Sequence, residues 1–401
     1  VPVFEDLELF KRTSGETSDI VSKEMYEFRD KGDRDLALRP EFTAGVMRAL
    51  IEGGALATGA AYRVAYNGPC FRYGRPGKGR YRQLHQFGFE HVGTASHFSD
   101  AEIMQVVLAM MIGLGLEVEL RINSIGSSET RQNYGEIILS HLKSWLADQD
   151  SEAQAKAAKN PFRLLDTKDK DLRANLEGLP SILDHLDEAS GTRWTQLLAT
   201  LDEYEVPFIV DPAIVRGLDY YNDTVFEVTC PDLGENISLC GGGRYDGLIA
   251  LLGGTPTPSV GAGIGIERLI LAVASAKTFE PSGPPIIYIV TDAESRRLAN
   301  KLAQSLRLRS FGEIILDADG RTQKHQLKQA DRVGAAFAVI LNEKEVRDSF
   351  CIVKHLQTGE QQTVPLDEVV DVFTLMEEDF DEMEEAHREG LDYGDGIFTR
   401  N

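Results

Sequence analysis

Residues Val215–Val228 read VRGLDYYNDTVFEV: an arginine, an aspartate and two adjacent tyrosines, then a run that alternates like a half-buried strand. This run decides the fold class. Strand-like runs flank it at Phe208–Val210 and Ile237–Cys240, and GGGRYDGLIALLGG (Gly241–Gly254) and GAGIGIERLILAVASA (Gly261–Ala276) follow. Strands, helices and glycines do not alternate regularly here. That favours an α+β arrangement, an antiparallel sheet with flanking helices, over a doubly wound sheet. The polar head of the stretch has two readings, one wall of a pocket or a turn with a buried aromatic anchor.

Toward the N-terminus, Ala147–Val206 is polar and helical with few strand signals, and reads as an inserted helical module. Ser128–Trp145 has helical spacing. LEVELRINSIGS (Leu116–Ser127) alternates Val118, Leu120 and Ile122 as a strand, and the helix before it opens with Ser99 or Asp100 as N-cap. The chain starts at Val1 inside the strand-like VPVFEDLELF, so a further N-terminal segment is expected outside this numbering. Toward the C-terminus, EPSGPP (Glu280–Pro285) is a linker signal. Beyond it IIYIV, a helix over Ala293–Leu306, GEIILD, a helix over Thr322–Gly334 and AFAVIL form a βαβαβ domain. A hairpin turning at Thr358-Gly359 follows.

The 401 residues suit two or three domains, with 42% hydrophobic and 26% charged residues. No stretch approaches the apolar length of a membrane span, and no signal peptide opens the chain. Cys70, Cys230, Cys240 and Cys351 show neither metal nor disulfide spacing, which fits a reducing cytoplasm. The net charge is −22, but half of it lies from Leu366 onward. A basic patch interrupts the acidic background: Arg72, Arg75, Lys78, Arg80 and Arg82, with no acid among them.

That patch lies in CFRYGRPGKGRYRQLHQFGFE (Cys70–Glu90), read as two strands joined by a glycine-rich loop. The second strand puts Gln83, His85, Phe87 and Phe89 on one face, and Leu84, Gln86, Gly88 and Glu90 on the other. Arg72 at the loop's base suits a nucleotide phosphate. The basic tip suits an RNA end, and equally a solvated hairpin. Glu41 and Thr43 stand at a helix start, as an ammonium site or with Thr43 as an ordinary cap. Tyr245 follows glycines that allow close backbone approach to a ligand. Lys324, His325 and Lys328 occupy a helix face that touches either RNA or only solvent.

Taken together, these segments resemble the histidyl-tRNA synthetase family of class II aminoacyl-tRNA synthetases, from Val1 to about Val370. VRGLDYYNDTVFE and GGGRYDGL look like its two histidine signatures, FRYGRPGKGRYRQLHQFGFE like motif 2 and GAGIGIERLIL like motif 3; Pro2 would end motif 1. The resemblance implies a catalytic domain in two parts, 1–146 and 207–279, around a helical insertion, 147–206. A linker, 280–285, an anticodon-binding α/β domain, 286–366, and an acidic tail, 367–401, would follow. It implies activation of histidine with ATP and Mg²⁺, then transfer to tRNA(His), by a cytoplasmic homodimer. By position, Arg72, Arg80 and Arg268 would bind ATP, and Arg216 would lie against the α-phosphate and carboxylate in place of a protein-bound metal. Glu41, Thr43 and Gln86 would hold the amino acid's α-groups. Glu90, Tyr220, Tyr221 and Tyr245 would form the imidazole pocket, and Arg75, Lys78 and Arg80 would touch the tRNA acceptor.

Three positions depart from the family pattern. Gly74 stands where a glutamate helps hold adenine, so Gly74→Glu is expected to tighten ATP binding. Phe42 replaces a glycine, where a ring would crowd the histidine pocket. Asn342 replaces another glycine. The alternative functions are a histidine-sensing regulatory paralogue and a synthetase-like RNA-binding module. The retained Arg72, Arg216 and Arg268 speak against lost chemistry.

Overall fold

The computed structural model describes residues 1–374, apart from 16, 17, 19, 166, 168, 217, 234–236, 277–284, 310 and 318. Most of the expected linker, and the acidic tail from 375, lie outside the described residues. The chain divides into two compact units, Val1–Phe279 and Glu280–Asn401.

In the first unit, β1 (Phe4–Asp6), β2 (Glu27–Arg29) and β3 (Asp35–Leu38) form a small antiparallel sheet in the order β1-β3-β2. A seven-stranded sheet is built from β4 (Tyr62–Phe71), β5 (Gln83–Val92), β6 (Glu119–Ser124), β7 (Ile209–Val210), β8 (Asn222–Thr229), β9 (Ser238–Arg244) and β10 (Ser259–Gly265). Its order is β4-β5-β10-β9-β8-β6-β7, antiparallel except for the β6–β7 pair. The alternation read in Val215–Val228 thus belongs to an interior antiparallel strand.

Period-two alternation splits the apolar residues between two cores. Leu120, Ile122, Phe226, Val228 and Ile264 pack under the helices His97–Gly113 and Glu188–Glu203, through Met104, Val107, Met111, Leu197 and Leu201. Each such side chain contributes roughly 1.5–3 kcal/mol on full burial. Helix Glu188–Glu203, which closes the predicted insertion, is therefore part of the sheet's own core. On the opposite face Phe42, Met47, Val225, Tyr220, Tyr221 and Tyr245 pack together.

The helix His97–Gly113 is capped by Ser96, whose hydroxyl accepts from Phe98 N at 3.3 Å, and not by Ser99 or Asp100 as expected. Both expected residues have another task. Arg244 is fully buried; its Nη2 donates to Asp100 Oδ2 and, at 3.1 Å, to Ser99 Oγ. Its other N–H groups reach Thr94 O, Ser96 O and Asp246. A buried guanidinium needs this many acceptors, and together they tie the end of β9 to the helix start.

The second unit orders β11 (Ile286–Thr291), β12 (Glu313–Leu316), β13 (Phe337–Leu341), β14 (Phe350–His355) and β15 (Gln361–Pro365) as β12-β11-β13-β14-β15. The first three are parallel, with helices Arg296–Leu308 and Gln323–Arg332 between them, and the hairpin adds antiparallel strands. Gln326 is fully buried and bonds both the N–H and the C=O of Thr291, which fixes the second helix to β11. Lys324, His325 and Lys328 consequently face solvent. Val369 and Phe373 are buried with Phe311 and Phe337, so the chain through Thr374 folds onto this unit. Asn342 has φ −108° and opens helix Glu343–Arg347 with a capping box, a task that needs no glycine.

Candidate active site

The site lies on the glycine-rich strands. β10 pairs Gly261 with Glu90, Gly263 with Gly88 and Gly265 with Gln86, and on its other side pairs Gly261 with Gly243 and Gly263 with Gly241. These glycines mainly make room for the chain's own side chains. A Cβ at Gly261 would collide with the Glu90 carboxylate, at Gly241 with the Arg216 guanidinium, and at Gly88 with the Tyr66 ring. Gly263 has open space beside it and lines the cavity, so close approach to a ligand is confined to this part of the strand.

A cavity of about 260 Å³ brings together Arg72, Arg80, Arg216, Arg268 and Gln86 from segments nearly 200 residues apart. One acceptor orients each of three arginines. Arg72 Nε donates to Pro40 O at 2.8 Å, Arg216 Nη1 to Glu227 at 2.5 Å and Arg268 Nη1 to Ser238 O at 2.7 Å. Burial, then the neighbouring charges of Arg80 and Arg72, lower the pKa of Arg268. Burial also opposes the charge of Arg216, but Tyr221 and Glu227 outweigh it and its pKa is raised. Four guanidiniums held this close are matched by a polyanion, and forked N–H groups suit phosphate oxygens. Cys240 also lines the cavity, but burial pushes its thiol up to about 12, which leaves it inert.

The remaining predicted residues form a closed cluster beside this cavity rather than lining it. Glu90 is buried and accepts from Thr43 Oγ1 at 2.8 Å, Tyr66 OH at 3.0 Å and Tyr245 OH at 2.5 Å. Burial pushes its carboxyl up to about 8 despite those bonds, while burial keeps the phenols of Tyr66 and Tyr245 well above the ordinary value, so they remain donors. Thr43 is not the helix cap. Glu41 takes that place, accepting from Thr43 N at 2.5 Å and Ala44 N at 3.0 Å, because the Thr43 hydroxyl is turned to Glu90. Burial raises the Glu41 pKa as well. Tyr220, Tyr221 and Tyr245 stack edge-on and tilted, with centroids 4.7 to 6.3 Å apart. Arg216 joins the two halves, 5.8 Å from the Tyr221 ring.

Phe42 does not fill the cavity. Its ring stacks on Tyr66 at 4.6 Å and 15°, beneath the Arg39 guanidinium at 4.0 Å. Sequence reasoning missed Tyr66, although the register that opposes it to Gly88 across β4 and β5 accounts for both residues. It also missed Glu24, which carried no signal. Glu24 lines the cavity, and its Oε1 lies 3.3 Å from where a Cβ of Gly74 would stand. Arg75 and Lys78 are exposed on the loop outside the cavity, which closes through a Gly77–Arg80 bridge. No group of three metal-binding side chains occurs among the described residues, and none of their helices is long and apolar enough to cross a membrane.

Residues 285–375 match the family described as Anticodon binding domain. Behind an antiparallel-sheet unit with an arginine-lined cavity, this defines an aminoacyl-tRNA synthetase. Residues 1–269 match the family described as Histidyl-tRNA synthetase, and the chain belongs to that family. The Histidine–tRNA ligase of Rhodococcus erythropolis is 44% identical over 374 residues, covering 92% of this chain and 88% of that protein. That of Crocosphaera subtropica is 43% identical over 365 residues, covering 90% and 84%. The solved apo histidyl-tRNA synthetase of S. aureus has a TM-score of 0.74 at 35% identity, covering 93% of this chain and 89% of that one.

Proposed function

We propose that this chain is a histidine–tRNA ligase working by class II chemistry, as a cytoplasmic homodimer. ATP enters as its Mg²⁺ complex, with the metal carried on the phosphates. The histidine carboxylate oxygen attacks the α-phosphorus, pyrophosphate leaves, and histidyl-adenylate remains. The ribose hydroxyl of the terminal tRNA adenosine then attacks the carbonyl carbon. AMP leaves with the bonding pair, and one proton is released.

Arg72, Arg80 and Arg268 hold the triphosphate, and Arg216 stabilises the charge that develops on the α-phosphate. Gln86, Glu41 and Thr43 orient the amino acid's α-groups. Glu90 and Tyr221, with Tyr220 and Tyr245 around them, read the imidazole. A pocket whose polar groups must all be paired rejects apolar side chains strongly. Arg75, Lys78 and Arg80 meet the acceptor stem. The observation that carries this reading is the position of Arg216, half-buried between the four-arginine cavity and the Glu90 cluster.

The test is amino-acid-dependent exchange of labelled pyrophosphate into ATP. Exchange with histidine alone is expected. Histidine binding without exchange would leave a sensor or an RNA-binding paralogue.

A further inference from the structure

A second cavity, of about 850 Å³, opens on the far side of Arg216. Its walls are the helices Ser128–His141 and Ser151–Lys159, the turn Pro161–Leu164 and the segment around Asp219. In a chain of net charge −22, this lining is strongly cationic: Lys23, Arg131, Lys156, Lys159, Arg163 and Arg216 against the single carboxylate of Asp219. Asp219 is already engaged, accepting from Asn160 at 3.1 Å and lying 3.9 Å from Arg163. Arg131 donates to the Asp219 carbonyl at 3.2 Å, but its Nε, like that of Arg216, is buried without a hydrogen-bond partner. Lys156 pairs only with the exposed Glu152, a contact worth little in water and readily exchanged for phosphate. Between the cations lie apolar surfaces, among them Phe162, Leu164 and Leu218.

Cations on the rim with an aromatic and aliphatic floor are what single-stranded nucleic acid requires, charge for the phosphates and flat surface for the bases. The shared Arg216 means that a ligand here ends beside the group assigned to the adenylate. The geometry points to this cavity as the seat of the unpaired 3′ end of the RNA substrate. Arg131, Lys156 and Lys159 meet its phosphates, Phe162 lies against a base, and the terminal ribose reaches the carbonyl held at Arg216. This rests on the proposed function and adds to it a site separate from the loop of Arg75 and Lys78.

The experiment compares Lys156→Ala/Lys159→Ala and Arg131→Gln with the wild type in both half-reactions. Transfer from preformed adenylate to tRNA, at subsaturating tRNA, is expected to slow by about tenfold or more. Pyrophosphate exchange should stay within about twofold. For the double lysine variant, the slope of log binding against log salt should flatten by about 1.4, two single-strand contacts at roughly 0.7 each. Both lysines are exposed, so this variant remains informative if Arg131→Gln fails to fold. Unchanged transfer and salt slope would overturn the assignment. So would equal loss of both half-reactions in the lysine variant, which would tie the cavity to the first step. A wild type without histidine-dependent exchange would instead refute the underlying function.

Discussion

The protonation state of Glu90 gives the most demanding prediction. The groups facing its carboxyl are Thr43 and Glu41 from the helix start, Tyr66 from β4 and Tyr245 beyond β9, and none is a cation. Burial pushes the carboxyl up to about 8, so the empty pocket holds a neutral acid at pH 7. Free imidazole titrates near 6.5. The one cation able to neutralise a carboxylate here is the substrate's own ring, so the bound pair retains one shared proton. Histidine affinity should then be flat between about pH 6.5 and 8. Below that window binding must release a proton, and above it binding must take one up. Each limb is worth about tenfold, or about 1.4 kcal/mol, per pH unit. At about pH 9.5 the KM for histidine in pyrophosphate exchange should stand about 30-fold above its plateau. In Glu90→Gln the upper limb should disappear while the lower one stays, because the substrate supplies the lower one. An unchanged upper limb in the variant would show that another group titrates there. Affinity that rises through pH 8 in the wild type would show a carboxylate binding neutral imidazole, and the shared-proton reasoning would be wrong.

The same carboxyl should make stability pH-dependent. Its folded-state value is raised, so its contribution is fully present below about pH 4.5 and lost as pH rises through about 8, on the order of 5 kcal/mol in all. Denaturant unfolding of Glu90→Gln should lack this component. Arg216→Ala should slow adenylate formation by roughly 10²–10³, the cost of one preorganised charge donor; an unchanged single-turnover rate would remove its role. Asp100→Ala leaves the Arg244 guanidinium buried without its main counter-charge and should cost about 3–5 kcal/mol in urea unfolding. Gly74→Glu should raise the KM for ATP, the reverse of the sequence-based expectation, because the new carboxylate meets Glu24; adding Glu24→Gln should relieve the increase.

Much of the site was legible because its chemistry is carried by unusual residues on regular elements. Alternation placed Gln86 and Glu90 on one face of β5, and both point to the site side. Arg72, Arg216 and Arg268 could be singled out by type, and the sheet brings them to one cavity. Thr43 and Asp100 were misassigned for a common reason. A short polar residue at a helix start looks like a cap, yet in a buried site it is taken by a tertiary partner, Glu90 for one and Arg244 for the other. Tyr66, Phe42 and Glu24 act across strands or loops, and a periodicity gives a residue's face but not its neighbour.

The glycines show where reading of local sequence stops. In GGGRYDGL and GAGIGIERL they look like backbone laid open to a ligand, and at Gly263 that holds. At Gly241 and Gly261, however, the missing Cβ is the space occupied by Arg216 and Glu90, the two side chains on which phosphate and imidazole recognition are proposed to rest. A strand that pairs glycine with a functional residue on its neighbour specifies that residue's conformation by leaving only one place to go. The register, Gly261 opposite Glu90 and Gly243, is therefore as much a part of the site as the charged groups themselves. A one-residue slip would preserve every motif in the sequence and close the pocket, because each glycine would then face the wrong neighbour.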